Sequence, residues 1–377
     1  MGSISAYESS AGKRYRVRYR KPDHTQTDKR GFATKREAEL FLASVEVSKA
    51  RGEYVNVVDA RARLSGLGAE WLQHQTHLKP SSLRPLQIAW RVHVEPRWGS
   101  VSVGEVRHSD VQAWVSELST RRGPTTVLRV YGVLAGVLDV AVRDRRILSN
   151  PARGVNLPRK LRREHRYLTH QEVHGLALAS GGHRALVLVL AYTGLRWGEA
   201  IGLRVKDVDV ERRRISVSVN AVEVGREIQV GTPKTHKRRA VPFPRLLEPV
   251  LLEQVAGRDG DELLFAGRDG RHMRRIRVSG GSRSWFKTAL AEAGLDPMTL
   301  HDLRHTAASM SISAGANVKA VQRMLGHASA AMTLDIYADL FDDDLNAVSD
   351  RLDEAYARSS VGKLWASHDR SPTQTEL

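Results

Sequence analysis

Along this chain the spacing of apolar positions changes character several times. In "RYRVRYR", Arg14, Arg16, Arg18 and Arg20 alternate with Tyr15, Val17 and Tyr19. A period of two is that of a strand, and it sets the four arginines on one face. "KPDH" supplies a turn, and a second short strand ends near Phe32. Thr34 with Glu37 is a capping box opening a helix that runs to about Lys49. From about Leu64 the period becomes helical. "LGAEWLQHQT", "SSLRPLQIAWRVHVEP", "SDVQAWVSELSTR" and "TTVLRVYGVLAGVLDVAVRDRRI" each carry apolar residues at helix spacing, and Ser109 with Gln112 reads as a second capping box. A four-helix domain ending near Leu148 is predicted. "SNPARGVNLPRKLRREHRYLT" is proline-bearing, basic and poor in apolar residues, so it reads as a linker. Thr169 and Glu172 then cap the first helix of a further region. That region has an apolar helix at Arg184–Thr193, a β-rich patch at Arg214–Pro242 and helices from about Ser282 to Tyr356, before a tail that reads as disordered.

The expected fold is therefore multidomain. A small α+β N-terminal domain (1–63) precedes an all-α helical domain (64–150), a basic interdomain linker (151–167) and a mainly α domain with a small antiparallel sheet (168–358); the tail is 359–377. No internal repeat is visible.

Composition narrows what such an assembly does. Lys and Arg number 59 against 42 acids, a formal net charge of +17 in 377 residues. So large a basic excess favours a polyanion partner, nucleic acid before anionic membrane. There are no cysteines, which excludes disulfides, thiolate metal sites and cysteine nucleophiles. The opening "MGSISAYESSAGKRYR" has no apolar run of the kind a secretory signal needs. The longest apolar run, "ALVLVLAY" (Ala185–Tyr192), is too short to span a bilayer. A cytoplasmic, non-membrane protein is expected.

Four boxes in the last region carry chemistry: "TGLRWGEAIGLRVKDVD" with Arg196 and Glu199, "TPKTHKRRAVPF" with Lys234 on a turn between two strands, "HDLRHT" with His301 and Arg304, and "LGHASAAMTLDIYA" with His327 and Tyr337. On a helix, His301, Arg304 and His305 share one face. A phosphodiester under attack gains negative charge, and fixed cationic donors around it lower the barrier. Two arginines suit that role, because each guanidinium offers a planar fork to two phosphate oxygens. Tyr337 is a candidate nucleophile, Lys234 a candidate acid for the leaving sugar hydroxyl, and the histidines candidates to accept the tyrosine proton or hold the phosphate. Each residue also has a bland reading. Arg196 would be a helix-end charge, Lys234 a solvated lysine, His301 a helix cap and Tyr337 a core residue. Taken as an ordered set they favour the chemical reading. His301 and His305 have the spacing of a metal-binding pair, but Arg304 and the basic boxes around them would repel a cation, so no metal is expected.

At these boxes the sequence resembles the tyrosine recombinases, or phage-type integrases. The family pattern is Arg, a β-turn Lys, His-x-x-Arg, His or Trp, then Tyr. Arg196, Lys234, His301, Arg304, His327 and Tyr337 fill its six positions, and Glu199 matches an acidic position that helps order the site. The resemblance covers about residues 64–345. It implies that 64–150 is a core-binding domain and 168–358 the catalytic domain. The linker, with Lys160, Arg162 and Arg163, would lie on DNA. Residues 1–63 are similar in pattern to arm-binding domains, a three-stranded sheet with a helix, with Arg14, Arg16, Arg18 and Arg20 as DNA contacts.

The implied activity is site-specific recombination of double-stranded DNA at core-type and arm-type attachment sites. It would proceed through a 3′-phosphotyrosine and a Holliday junction, in a homotetramer, without metal or nucleotide cofactor. A host DNA-bending protein and an excision directionality factor are the implied accessory partners. The acidic stretch 338–360, with Leu340, Phe341, Leu345, Val348 and Leu352 at roughly helical spacing, is expected to be an amphipathic helix, either a solvated one packed on its own domain or, the sharper reading, one whose apolar face docks on a neighbouring protomer. The alternatives are a type IB topoisomerase, a DNA-binding regulator without catalysis, and a metal-dependent nuclease.

Overall fold

The computed structural model describes every residue except Met1, Ala11, Asp23, Val57 and the stretches 161–165, 233–237, 277–283, 338–343 and 359–377. It resolves into two compact units, Met1–Arg162 and Arg163–Leu377.

The first unit opens with an antiparallel three-stranded sheet in the order β1 (Ser3–Ser9), β2 (Gly12–Arg20), β3 (Gln26–Phe32), followed by α1 (Lys35–Ala50). The alternation in β2 sorts its side chains as expected. Val17 is fully buried, and Tyr19 packs edge-on against Phe41 of α1 at 5.9 Å. The intervening arginines lie on the other face. Opposite Tyr15 and Arg16 the register of β3 slips by one residue, at Gly31, whose φ of +97° only glycine adopts without strain. Thr34 caps α1 by accepting the Glu37 amide, and Glu37 reaches back to the amide of Ala33.

Helices α2 (Leu64–Gln73), α3 (Pro80–Ala89), α4 (Glu95–Trp98), α5 (His108–Arg121) and α6 (Pro124–Arg143) complete this unit, with one π-helical turn at Trp90–Val94 joining α3 to α4. Their shared core holds Leu64, Trp90, Val94, Trp114 and a stripe of α6 that includes Val127, Val130, Leu134 and Leu138. Trp98 meets Trp114 edge-on at 5.8 Å. Gly68 is needed where it stands, since a Cβ there would lie 1.9 Å from the Trp90 ring.

One expectation is corrected here. Ser109 and Gln112 form no capping box. The helix starts at His108, two residues before that box would place it, with Arg107 at the N-cap and no side-chain cap. Gln112 is instead engaged elsewhere, accepting the Asn156 amide at 2.8 Å and donating to the Asn156 carbonyl at 3.4 Å. Among the described residues α6 is the one helix long and apolar enough to cross a membrane, and it is the central core helix of this unit.

The second unit is built on α8 (Arg184–Thr193), whose positions from Ala185 to Ala191 are all buried. It packs between α7 (His170–Ala179), opened by the Thr169–Glu172 capping box, and α12 (Leu300–Ser313). After the short α9 (Trp197–Ala200) come β4 (Val208–Asp209), β5 (Arg214–Val217), β6 (Asn220–Val224), β7 (Glu227–Gly231) and β8 (Arg239–Pro242). They form an antiparallel sheet ordered β4-β5-β8 and a separate β6-β7 hairpin. Helices α10 (Glu248–Val255), α11 (Trp285–Glu292), α13 (Val318–Leu325), α14 (Ala330–Tyr337) and α15 (Asp344–Arg358) complete the unit. Of the expected acidic C-terminal helix, α15 is present with Leu352 and Tyr356 exposed, while Leu340 and Phe341 lie outside the described residues.

Candidate active site

The site forms where three helix ends converge. The first is the exit of α8, which terminates at Gly194 in the left-handed conformation (φ +63°). A Cβ there would come 2.5 Å from a methyl of Leu325, so this glycine also permits a close approach. Two residues on, Arg196 is the N-cap of α9 and not a helix C-terminal charge. The second is the start of α12, opened by Thr299. Its amide and hydroxyl both donate to Asp302, at 2.6 and 2.8 Å. That cap sets His301 and Arg304 on the first turn, so His301 is not itself the cap. The third is the C-terminus of α13, which ends at Gly326 (φ +67°) and is followed at once by His327.

A helix C-terminus leaves its last carbonyls unpaired and carries partial negative charge. Here three successive carbonyls each receive a different arginine. Nε of Arg239 donates to Met324 at 3.0 Å, Nη2 of Arg304 to Leu325 at 2.8 Å, and Nη2 of Arg196 to Gly326 at 3.1 Å. Nη1 of Arg304 also donates to the carbonyl of Gly194. Arg304 is 3% exposed, and these main-chain acceptors offset part of the cost of burying it.

Glu199, 1% exposed, ties the other two arginines together. Its carboxylate accepts the Arg196 amide and Nη1, each at 2.9 Å, and both terminal nitrogens of Arg239, at 2.9 and 2.7 Å. Burial pulls the carboxyl up, but the hydrogen bonds and charge of Arg239, with those of Arg196, outweigh it and hold Glu199 below the ordinary glutamate value. Arg239 was not singled out from sequence. It follows another arginine, Arg238, and in a strand only one of two neighbours can face inward. The signal available was Glu199 itself, because a buried carboxylate close to two cationic boxes calls for more than one partner.

His327 is half-buried, and its ring is pushed down to about 4 by burial and by the positive charge of Arg304, Arg196, His301 and Arg239. It is therefore a neutral imidazole at pH 7, inside a ring of cations. Its Nδ1 is 2.9 Å from the hydroxyl of Thr333. His301 is exposed and stands edge-on to the buried His305, with ring centres 5.1 Å apart. Arg196 and His301 both line a pocket of about 370 Å³ together with Asn220, Arg275 and Phe286.

Among the described residues no group of three or more His, Cys, Asp or Glu is placed to hold a metal ion. Tyr337 is the last residue of α14. Lys234 lies outside the described residues, between β7 and β8, as do Arg162 and Arg163, while Lys160 is exposed. The structure thus brings together Arg196, Glu199, Arg304 and His327, with His301 beside Arg196 at the pocket.

Comparison with known proteins agrees with this geometry. Residues 166–343 match the model of the phage integrase family. The integrases of Mycobacterium phages D29 and FRAT1 are each 31% identical over 252 residues, 65% of this chain and respectively 66% and 74% of theirs. Among solved structures, the Tn1549 transposon integrase in complex with transposon right end DNA superposes with a TM-score of 0.66 at 25% identity, covering 77% of this chain and 99% of that one. An arginine-lined site on this fold, with relatives matched across most of their length, makes the chain a member of the phage integrase family, the site-specific tyrosine recombinases that cleave and join DNA.

Proposed function

We propose that this recombinase integrates and excises a mobile DNA element by the chemistry of a 3′-phosphotyrosine. The Tyr337 oxygen attacks the scissile phosphorus, the bond to the 5′ oxygen breaks, and a 5′-hydroxyl leaves. Lys234 supplies the proton that the leaving oxygen takes up. His301 accepts the tyrosine proton, and His327 donates a hydrogen bond to a phosphate oxygen. The 5′-hydroxyl of a partner duplex then attacks the phosphotyrosine and the steps run in reverse. The bond count is conserved, so neither metal nor nucleotide enters.

The observation that carries this reading is the fixing of two guanidiniums, Arg196 and Arg304, by the carbonyls of Gly326, Leu325 and Gly194. Donors held by the backbone before substrate arrives need little reorganisation as charge builds on the phosphate. Glu199 acts by positioning Arg196.

Residues 1–63 read as the arm-type DNA-binding domain, with Arg14, Arg16, Arg18 and Arg20 on the sheet face away from α1. Residues 64–150 read as the core-binding domain, and Lys160, Arg162 and Arg163 as linker contacts to the backbone of DNA. A homotetramer on two duplexes follows from the need to cut four strands in pairs. Acidic α15 suits docking on a neighbouring protomer better than lying on phosphates. A DNA-bending host protein and a directionality factor, both in the bacterial cytoplasm, complete the reading.

The test is trapping. In EDTA, the wild-type chain should form a covalent adduct with a duplex spanning the joined ends of the circularised element, and Tyr337→Phe should bind that duplex without forming it. An adduct in the Phe variant would move the nucleophile to another residue. An adduct without strand exchange would favour a topoisomerase, and cleavage only with a divalent ion a nuclease.

A further inference from the structure

Among the polar groups of the site, one has its side chain on an element that also carries the nucleophile. Thr333 is fully buried in α14, one turn before Tyr337, and its hydroxyl meets Nδ1 of His327 at 2.9 Å. The backbone of His327 is held from the opposite side by α13. Its amide donates to the Gln322 carbonyl at 3.1 Å, and its carbonyl accepts Nε2 of Gln322 at 3.1 Å. The main chain of this histidine therefore answers to α13 and its ring to α14.

The direction of the ring's hydrogen bond follows from the chemistry it faces. A phosphate oxygen only accepts, so a histidine that holds it must present N–H at Nε2. A neutral imidazole has one N–H, and with that proton on Nε2 the lone pair falls on Nδ1, which must then accept. A threonine hydroxyl is both donor and acceptor, and here it meets that need as donor. Valine has the same shape without the proton.

We propose that Thr333 is a positioning residue. Its hydroxyl donates to Nδ1 of His327 and so holds the tautomer that presents Nε2–H to the scissile phosphate. Because Thr333 rides on α14, His327 is set for the phosphate only while the helix bearing Tyr337 is seated. This rests on the phosphate-holding role proposed above for His327.

The experiment compares full-length wild type, Thr333→Val, Thr333→Ala and Thr333→Ser, each also in a His327→Ala background. Single-turnover adduct formation is measured on the duplex described above. Val and Ala should slow adduct formation about tenfold or more, as loss of a hydrogen bond that orients a ligand does, with the Kd for DNA unchanged. Ser should restore the rate to within about threefold. In the His327→Ala background Thr333→Val should cost nothing further, because an effect transmitted through the ring vanishes with the ring. A role limited to packing α14 would persist there and would overturn the proposal, as would a Val variant as fast as wild type. Nitrogen-15 NMR of histidine-labelled chain supplies a readout that needs no DNA. His327 should be the Nε2–H tautomer in wild type and Ser, and should shift toward a mixture in Val. An Nδ1–H ring in wild type overturns the inference even if the chain recombines DNA. Absence of any wild-type adduct, beside an Nε2–H ring that depends on Thr333, would sink the recombination chemistry and leave the positioning bond standing.

Discussion

Arginine is used in two ways in this molecule. On the N-terminal sheet, Arg18 and Arg20 are exposed and Arg14 and Arg16 half-buried, and their cross-strand neighbours include Arg30, Asp28, Ser3 and Ser5. The exposed pair, Arg18 and Arg20, keep much of their rotamer freedom and their water. In the second unit, Arg196, Arg239 and Arg304 give up both, each held by at least two acceptors. Mobile charge suits affinity for a polyanion, because it follows phosphates wherever they lie and releases counterions as it does. Fixed charge suits a reaction, where the donor must be in place as the new charge appears. The same guanidinium serves either purpose according to what holds its nitrogens.

Removing a held arginine is the strongest way to break this contrast. Arg304→Ala should slow adduct formation by about 10²–10³-fold, measured in single turnover, while DNA binding changes little. Arg304→Lys should recover little of that, since one ammonium cannot reach the carbonyls of Gly194 and Leu325 and still face a phosphate. Equal losses of binding and rate would put Arg304 in the same class as the sheet arginines.

Next in size is Arg239→Ala. It strips the bidentate partner from buried Glu199, and removal of one member of a buried pair costs about 3 kcal/mol. Urea unfolding should read that loss, and cleavage should fall with it as Arg196 loses its fixed neighbour. An unchanged urea midpoint would show that Glu199 does not depend on Arg239.

A smaller effect concerns pH. The His327 ring stays neutral down to about pH 4 in the folded chain, whereas unfolded it takes a proton near 6.5. The unfolded state thus binds more protons across that window, and stability falls as pH drops from about 6.5 toward 4. With the ring half exposed, solvent screening leaves about 1 kcal/mol of this. His327→Gln should flatten that part of the profile of Tm against pH, and a profile identical to wild type would remove His327 as its source.

The smallest change belongs to the sheet. Arg18→Gln should leave Tm unmoved and lower the salt slope of arm-site binding by about 0.9 for each phosphate that it no longer neutralises. A drop in Tm would mean that this arginine is structural after all.

What the sequence disclosed follows the same division. Side-chain patterns were legible. The alternation in β2, the caps at Thr34 and Thr169, and the apolar run of α8 all report local rules that the tertiary structure leaves intact. Ser109 and Gln112 obeyed the capping pattern yet failed, because Gln112 had a stronger use at Asn156, 44 residues away. The cap at Thr299 went unread because Asp302 stood among residues already given chemical roles. The identities of Arg196, Arg304 and His327 were readable, but what holds them was not. The main-chain acceptors of the two arginines are the carbonyls of 194, 325 and 326, and a carbonyl has no letter in the sequence. Arg239 was hidden for a related reason, since its importance lies in the two atoms of Glu199 and one carbonyl that it happens to reach.

The shared use of one helix end by three arginines also sets how this enzyme would fail. Met324, Leu325 and Gly326 belong to a single turn, so unwinding that turn withdraws an acceptor from all three guanidiniums at once. Damage there would be read as a switch rather than a slope. A substitution that frays α13, even one far from DNA on its outer face, should silence the protein while leaving it folded and bound. Slow hydrogen exchange at the amides of Gly326 and His327, which close that turn onto Gln322, would mark the chains still able to act.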